Sequence, residues 1–189
     1  MMKIYFHLNI GGFSNCYIVI NEETHHALII DPGRITTALI DQIEGGGNSL
    51  SGVLITHNHG SHVQGIKTIL KIYEPKIFAA DWEVSGHKTT VITGDGTFQS
   101  AGLTVSYCTV PGHTADSMVY KIGNVLFTGD VLGAGTIGST TNRYSERLLR
   151  AHITKKIFSQ TDDTIIMPGH GPPTSVGIEK YYNSAFKKK

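Results

Sequence analysis

Val53-Leu54-Ile55-Thr56-His57-Asn58-His59-Gly60-Ser61-His62 is the stretch on which the reading of this 189-residue chain turns. Four apolar or β-branched residues make a buried strand that opens directly into three imidazoles. Rings placed where a buried strand meets a loop can converge on one point without helical geometry. Neutral imidazole is a good ligand for zinc and iron, and catalytic metal sites keep a position open for water. A surface histidine cluster could be spelled the same way, so donors elsewhere in the chain have to decide.

Three further segments supply such donors. His113 stands in Val110-Pro111-Gly112-His113-Thr114, and His170 in Pro168-Gly169-His170-Gly171. Asp130 closes Thr128-Gly129-Asp130 after the apolar run Val125-Leu126-Phe127. Each follows an expected strand and has glycine beside it, so backbone can pass close to a site. Singly, each is an ordinary turn motif. Together they place six candidate donors, His57, His59, His62, His113, Asp130 and His170, at strand ends, and that conjunction points to a metal centre.

Outward from these motifs the chain reads as interleaved strands and helices. Lys3 to Leu8, Cys16 to Ile20 and Ala27 to Ile30 are short alternating or β-branched runs in a meander, the third ended by Asp31-Pro32-Gly33. Ala38, Leu39 and Ile43 recur at helical spacing until Gly45-Gly46-Gly47. The strand Val53 to Thr56 is followed, beyond His62, by Val63, Ile66, Ile69 and Leu70 at the spacing of one amphipathic helix. Strands are expected at Lys76 to Ala79, Leu103 to Val110, Ser117 to Ile122, Val125 to Thr128 and Thr164 to Met167. Helices are expected at Ser145 to Phe158 and Val176 to Phe186. Strands outnumber helices while the two alternate, which is an α/β layer structure. With no repeat or linker, residues 1–189 are expected to form one domain.

Composition narrows the function. The chain is 40% apolar and 16% charged, with a net charge of +1, which gives no concentrated positive field for nucleic acid. No run reaches the roughly 20 apolar residues of a membrane helix, and the N-terminus makes a poor secretory signal, so a cytoplasmic location is expected. Cys16 and Cys108 lack a framework and should stay reduced. Lys187, Lys188 and Lys189 read as a solvated end. His7, His25, His26, His87 and His152 fall outside the four segments and read as surface or capping residues. Asp31 and Asp116 read as supports of the site or as turn residues, and Gly133 to Thr141 as a flap or an ordinary loop.

The ordered set Thr56-His57-x-His59-x-x-His62, Pro111-Gly112-His113-Thr114, Thr128-Gly129-Asp130 and Pro168-Gly169-His170-Gly171 resembles the metallo-β-lactamase-fold hydrolase superfamily. Asn15-Cys16-Tyr17, Asp31-Pro32-Gly33 and Asn183 are similar to its short glyoxalase II-like members. The resemblance implies a four-layer αββα sandwich. It implies His57, His59 and His113 in a first metal site, His62 and His170 in a second, and Asp130 as the shared, catalytic carboxylate. Zinc is the expected metal, as one or two ions, with iron or manganese as alternatives. The implied reaction is attack of a metal-held hydroxide on an ester, thioester or amide-like carbonyl of a small-molecule substrate. No protein nucleophile is required.

One position departs from the family pattern THxHxDH, whose aspartate is here Ser61. A hydroxyl is a poor ligand beside a carboxylate, so the second site is expected to be weakened. The loss leaves intact the trio His57, His113 and Asp130, through which the chain also resembles the mononuclear iron persulfide dioxygenases. A metal-binding scaffold without turnover is the third reading. No leftover stripe or heptad specifies an oligomeric state.

Overall fold

The computed structural model describes residues 1–187, so Lys188 and Lys189 of the basic end lie outside the described residues. The first sheet begins with the expected meander, β1 (Met2–Asn9), β2 (Ser14–Asn21) and β3 (His26–Ile30), paired antiparallel. Helix α1 (Thr37–Glu44) then crosses to β4 (Ser49–Leu54), parallel to β3. Thr36 caps α1 by accepting from the Leu39 N–H, and the N–H of Gly45 closes the last turn on Asp41. The next connection is α2 (Gly60–Val63) and α3 (Ile66–Ile69), leading to β5 (Lys76–Ala79). A small hairpin of β6 (Glu83–Val84) and β7 (His87–Lys88) precedes β8 (Thr90–Val91), which completes the sheet in the order β1-β2-β3-β4-β5-β8.

The second sheet holds β9 (Asp95–Ser100), β10 (Leu103–Thr109), β11 (Met118–Ile122) and β12 (Val125–Gly129), all paired antiparallel. After the hairpin β13 (Leu132–Gly133) and β14 (Thr136–Ile137) comes α4 (Arg143–His152), continued by a π-helical turn at Ile153–Ile157. Strand β15 (Ile165–Pro168) then joins β12 in parallel, β16 (Thr174–Ser175) forms the edge, and α5 (Val176–Tyr182) follows.

Three apolar layers separate four structural ones. On β3, Ala27 and Ile29 pack toward Leu39, Ile43, Ile66 and Ile69 of the helices, while Leu28 and Ile30 face Met118, Tyr120 and Phe127 of the second sheet. A strand buried on both faces needs this unbroken apolar run. Val119, Leu126 and Ile166 meet Leu149, Ile153, Ile157 and Val176 on the far side of the second sheet. The result is the αββα sandwich.

Three expectations need correction, and one six-residue strand was not expected. The helix expected after His62 is two short ones, because Gly65 packs so tightly on the Pro32 carbonyl, to which its N–H donates at 2.7 Å, that a side chain there would collide with it. The strand expected at 53–56 runs from Ser49 to Leu54, although Ile55 still donates to the Phe78 carbonyl. The last helix stops at Tyr182, where extended Asn183 turns its amide to Thr136 O and Glu179. Strand β9 escaped the apolar pattern, since its Asp-Gly-Thr-Phe-Gln-Ser carries one large apolar residue. No helix among the described residues is long and apolar enough to cross a membrane.

Candidate metal centre

All six expected donors gather at one end of the sandwich. The loop after β4 delivers His57 and His59, α2 carries His62, the turn after β10 carries His113, Asp130 follows β12 and His170 follows β15. One nitrogen each of His57, His59 and His113 forms a group with Asp130, and His62, Asp130 and His170 form a second. In both groups the donor atoms lie within 4.8 Å of one another. Asp130 is common to the two, and its carboxylate divides between them. Oδ2 stands 3.7 Å from His57 Nε2 and 3.6 Å from His113 Nε2, whereas Oδ1 stands 3.5 Å from His62 Nε2 and 2.8 Å from His170 Nδ1.

The spacing is also compatible with a shared metal ion. His59 Nδ1 lies 2.9 Å from His57 Nε2 and 3.2 Å from His113 Nε2. Donors about 2.1 Å from a tetrahedral zinc are about 3.4 Å apart, a little more than the two His59 distances and a little less than those from Asp130 Oδ2 to His57 and His113. His62 Nε2 is buried and has no hydrogen-bond partner, although it faces Asp130. A buried ring nitrogen without a partner is costly, and an ion that replaced its proton would relieve that cost.

The other nitrogen of three rings is occupied, which sets their tautomers. His113 Nδ1–H donates to the Ser139 carbonyl at 2.7 Å. His62 Nδ1–H donates to Asp31 Oδ2 at 3.1 Å. His57 Nδ1–H donates to Thr56 Oγ1 at 3.1 Å, and that hydroxyl donates onward to Asp31 Oδ2 at 2.6 Å. Asp31 Oδ1 accepts the Thr56 N–H at 2.8 Å. Buried Asp31 therefore orients donors of both groups from a left-handed turn with φ +51°. Asp116 does something else, accepting the Asn58 N–H at 2.8 Å and so holding the histidine loop rather than the His113 ring. The supposed flap is partly the β13–β14 hairpin, and its Ser139 carbonyl is one of the site's supports.

Charge follows the same geometry. Burial lowers His57 to about 4, helped by the charge of His62, so the ring is neutral at pH 7. Burial also opposes charge on His62, but Asp130 and Asp31 outweigh it and raise the ring to about 10. Asp130 resists its own burial because His62, His170 and His57 hold it far below the usual carboxylate range.

Sequence reasoning assigned no role to Asn15 and Tyr17, yet they fix the fourth segment. Asn15 Nδ2 donates to the carbonyls of Pro168 and Gly171 at 2.9 and 2.8 Å, and Tyr17 OH to that of Pro168 at 2.7 Å. Gly169 lies so close that a Cβ there would be 2.4 Å from Asp130 Oδ1. Only the family resemblance of Asn15-Cys16-Tyr17 hinted at this. At position 61 the carbonyl accepts from Ser14 Oγ at 2.6 Å, and the side chain is a hydroxyl without the charge of a carboxylate.

The Metallo-beta-lactamase superfamily profile matches residues 9–83 and 79–185. The chain belongs to this superfamily. It is 32% identical over 177 residues to an uncharacterized protein of Treponema pallidum, covering 92% of this chain and 94% of that one. It is 29% identical to the hydroxyacylglutathione hydrolase of Chromohalobacter salexigens over 85% of this chain and 64% of that enzyme. The crystal structure of the BLEG-1 B3 metallo-beta-lactamase superposes with a TM-score of 0.86 at 26% identity, covering 98% of this superfamily member and all of that chain (100%). Metal-dependent hydrolysis is the activity this membership supports.

Proposed function

We propose that the chain is a metal-dependent hydrolase of small ester or thioester substrates, with Asp130 at its centre. The observation behind this is the pair of donor groups meeting at one carboxylate, with three rings presenting free nitrogens because their other nitrogens are engaged. His57, His59, His113 and Asp130 would hold the first ion, and His62, Asp130 and His170 the second. Imidazole and carboxylate donors suit zinc, with iron or manganese as competitors. A divalent ion bound there supplies activation of water and stabilisation of charge developing on a carbonyl oxygen.

The protein's own contribution is orientation. Asp130 joins both groups through one side chain and, held ionised, offers both oxygens as donors to metal or as hydrogen-bond acceptors. Asp31 and Ser139 keep the lone pairs of His57, His62 and His113 aimed inward. Ser61 leaves the second group with three donors, so that ion binds more weakly than the first.

Zinc-loaded and iron-loaded protein should be assayed side by side on an acyl thioester and on a persulfide with O₂. Thioester cleavage by the zinc form is the expected result. Persulfide-dependent O₂ uptake by the iron form without thioester cleavage would favour a dioxygenase, and silence on both would favour a scaffold.

A further inference from the structure

A cavity lies next to the histidine loop in sequence, on the other side of Ser61 from His62. It is an open cleft of about 490 Å³ between the β1–β2 turn, the loop after β3 and helices α2 and α3, lined by Ser61 and by the exposed Arg34, Gln64 and Thr68. Ser61 is bonded directly to His62, which carries a donor of the second group, so the wall of this cavity and that group share a stretch of backbone. The volume is within the usual range for small-molecule pockets.

Its chemistry is one-sided. Arg34, Ser61, Gln64 and Thr68 line it together with Gly11 and Gly12, and no carboxylate does. Among the described residues the side chains of Arg34, Ser61, Gln64 and Thr68 have no partner in the protein, so a guanidinium, an amide and two hydroxyls keep their donors free. The arrangement is built by close approach. A Cβ on Gly33 would fall 1.9 Å from the Ser61 carbonyl, so only glycine lets the loop carrying Arg34 lie against α2. A guanidinium offers a fork of N–H groups that matches a carboxylate or phosphate.

We propose that this cavity receives an anionic oxygen group, carboxylate or phosphate, at the far end of the hydrolysed substrate, and that Arg34 is the residue selecting it. The proposal rests on the hydrolase reading above and deepens it by naming a substrate class: acyl compounds with a second, negatively charged end. Arg34 is a specificity residue and touches no reacting atom.

Two measurements test it. In the first, zinc-loaded protein is assayed on the S-succinyl and S-butanoyl thioesters of N-acetylcysteamine, which differ in one terminal carboxylate. The wild type should prefer the succinyl compound at least tenfold in kcat/KM. Arg34→Gln should erase that preference through KM, leaving kcat and the butanoyl rate within about threefold, and Arg34→Lys should restore part of it. In the second, glutarate and methyl phosphate are titrated into ¹⁵N-labelled protein while the Gln64 side-chain amide is followed. Whichever anion the cavity reads should move that signal, and Arg34→Gln should weaken its binding at least tenfold.

Binding lost in Arg34→Gln without cleavage of either thioester would uphold the anion site and remove the hydrolase reading. Equal cleavage of both thioesters, with a Gln64 signal indifferent to both anions or to the Arg34 substitution, would overturn the anion site and leave the hydrolase standing.

Discussion

Replacing Asp31 by Asn tests whether the site is held from behind. The buried carboxylate accepts from Thr56 N–H at 2.8 Å, Thr56 Oγ1–H at 2.6 Å and His62 Nδ1–H at 3.1 Å, with no donor role of its own. Asparagine has the same shape but must turn an NH₂ toward one of these groups. Facing Thr56 N–H, it opposes two donors and leaves a buried amide unpaired. Facing the other pair, it forces His62 Nδ1 to accept and so moves a proton onto Nε2, where the lone pair is needed. Either orientation costs a buried hydrogen bond and weakens those that remain by removing their charge, together roughly 2–4 kcal/mol. For a chain this size that lowers Tm by about 4–16 °C. Loss of support behind ligating rings should weaken metal binding 10–100-fold. Scanning calorimetry of the metal-free variant and elemental analysis after dialysis read the two effects. A variant that melts within about 2 °C of wild type and keeps its metal would refute the role given to Asp31.

Ser61→Asp should tighten the second ion by at least about tenfold and raise the stoichiometry retained after dialysis, since it returns an anionic donor to a three-donor group. Two ions held equally tightly by the wild type would remove the reason for expecting it. His62, raised to about 10 in the metal-free protein, stabilises the fold fully below its unfolded value of 6.5, and that stabilisation is lost as pH rises through about 10. Filling the second site at pH 8 must therefore expel about one proton from this ring, which calorimetry in two buffers of different ionisation enthalpy counts. The released proton should vanish in His62→Gln. Gly169→Ala puts a methyl 2.4 Å from Asp130 Oδ1 and 2.7 Å from His62 Cε1, and should cost about 1–3 kcal/mol while displacing the shared carboxylate. Unaltered metal content and melting in that variant would show that the His170 loop moves freely.

The donors were legible because each of the four motifs follows a strand, and strand ends are marked by the change from apolar runs to glycine and polar residues. Val53 to Thr56 before His57 and Val125 to Phe127 before Asp130 carry that mark plainly. Layering was less visible. Leu28 and Ile29 look alike in sequence, and only the pleat assigns one to the space between the sheets and the other to the helices. The break at Gly65 arises from packing against the distant Pro32 carbonyl, which no local pattern encodes. Backbone supports such as Ser139 O are hidden for the same reason, because a carbonyl has no letter of its own.

The departure at Ser61 ties the metal centre to the neighbouring cavity. Two divalent ions would bring far more positive charge than Asp130 and the more distant Asp31 offset, and the carboxylate that the family pattern has at position 61 is missing from the lining that also carries Arg34. An anion seated beside Ser61 and a second ion at His62 and His170 should therefore favour one another, and such coupling is reciprocal. Saturating glutarate should tighten the second ion by the same factor by which that ion tightens glutarate. Ser61→Asp supplies the charge from the protein instead, so it should strengthen the ion and weaken glutarate together, leaving little coupling between them. Paired titrations, metal at fixed glutarate and glutarate at fixed metal, measure both factors. Glutarate binding that ignores both the second ion and the new carboxylate would show that the cavity and the metal centre are electrostatically separate.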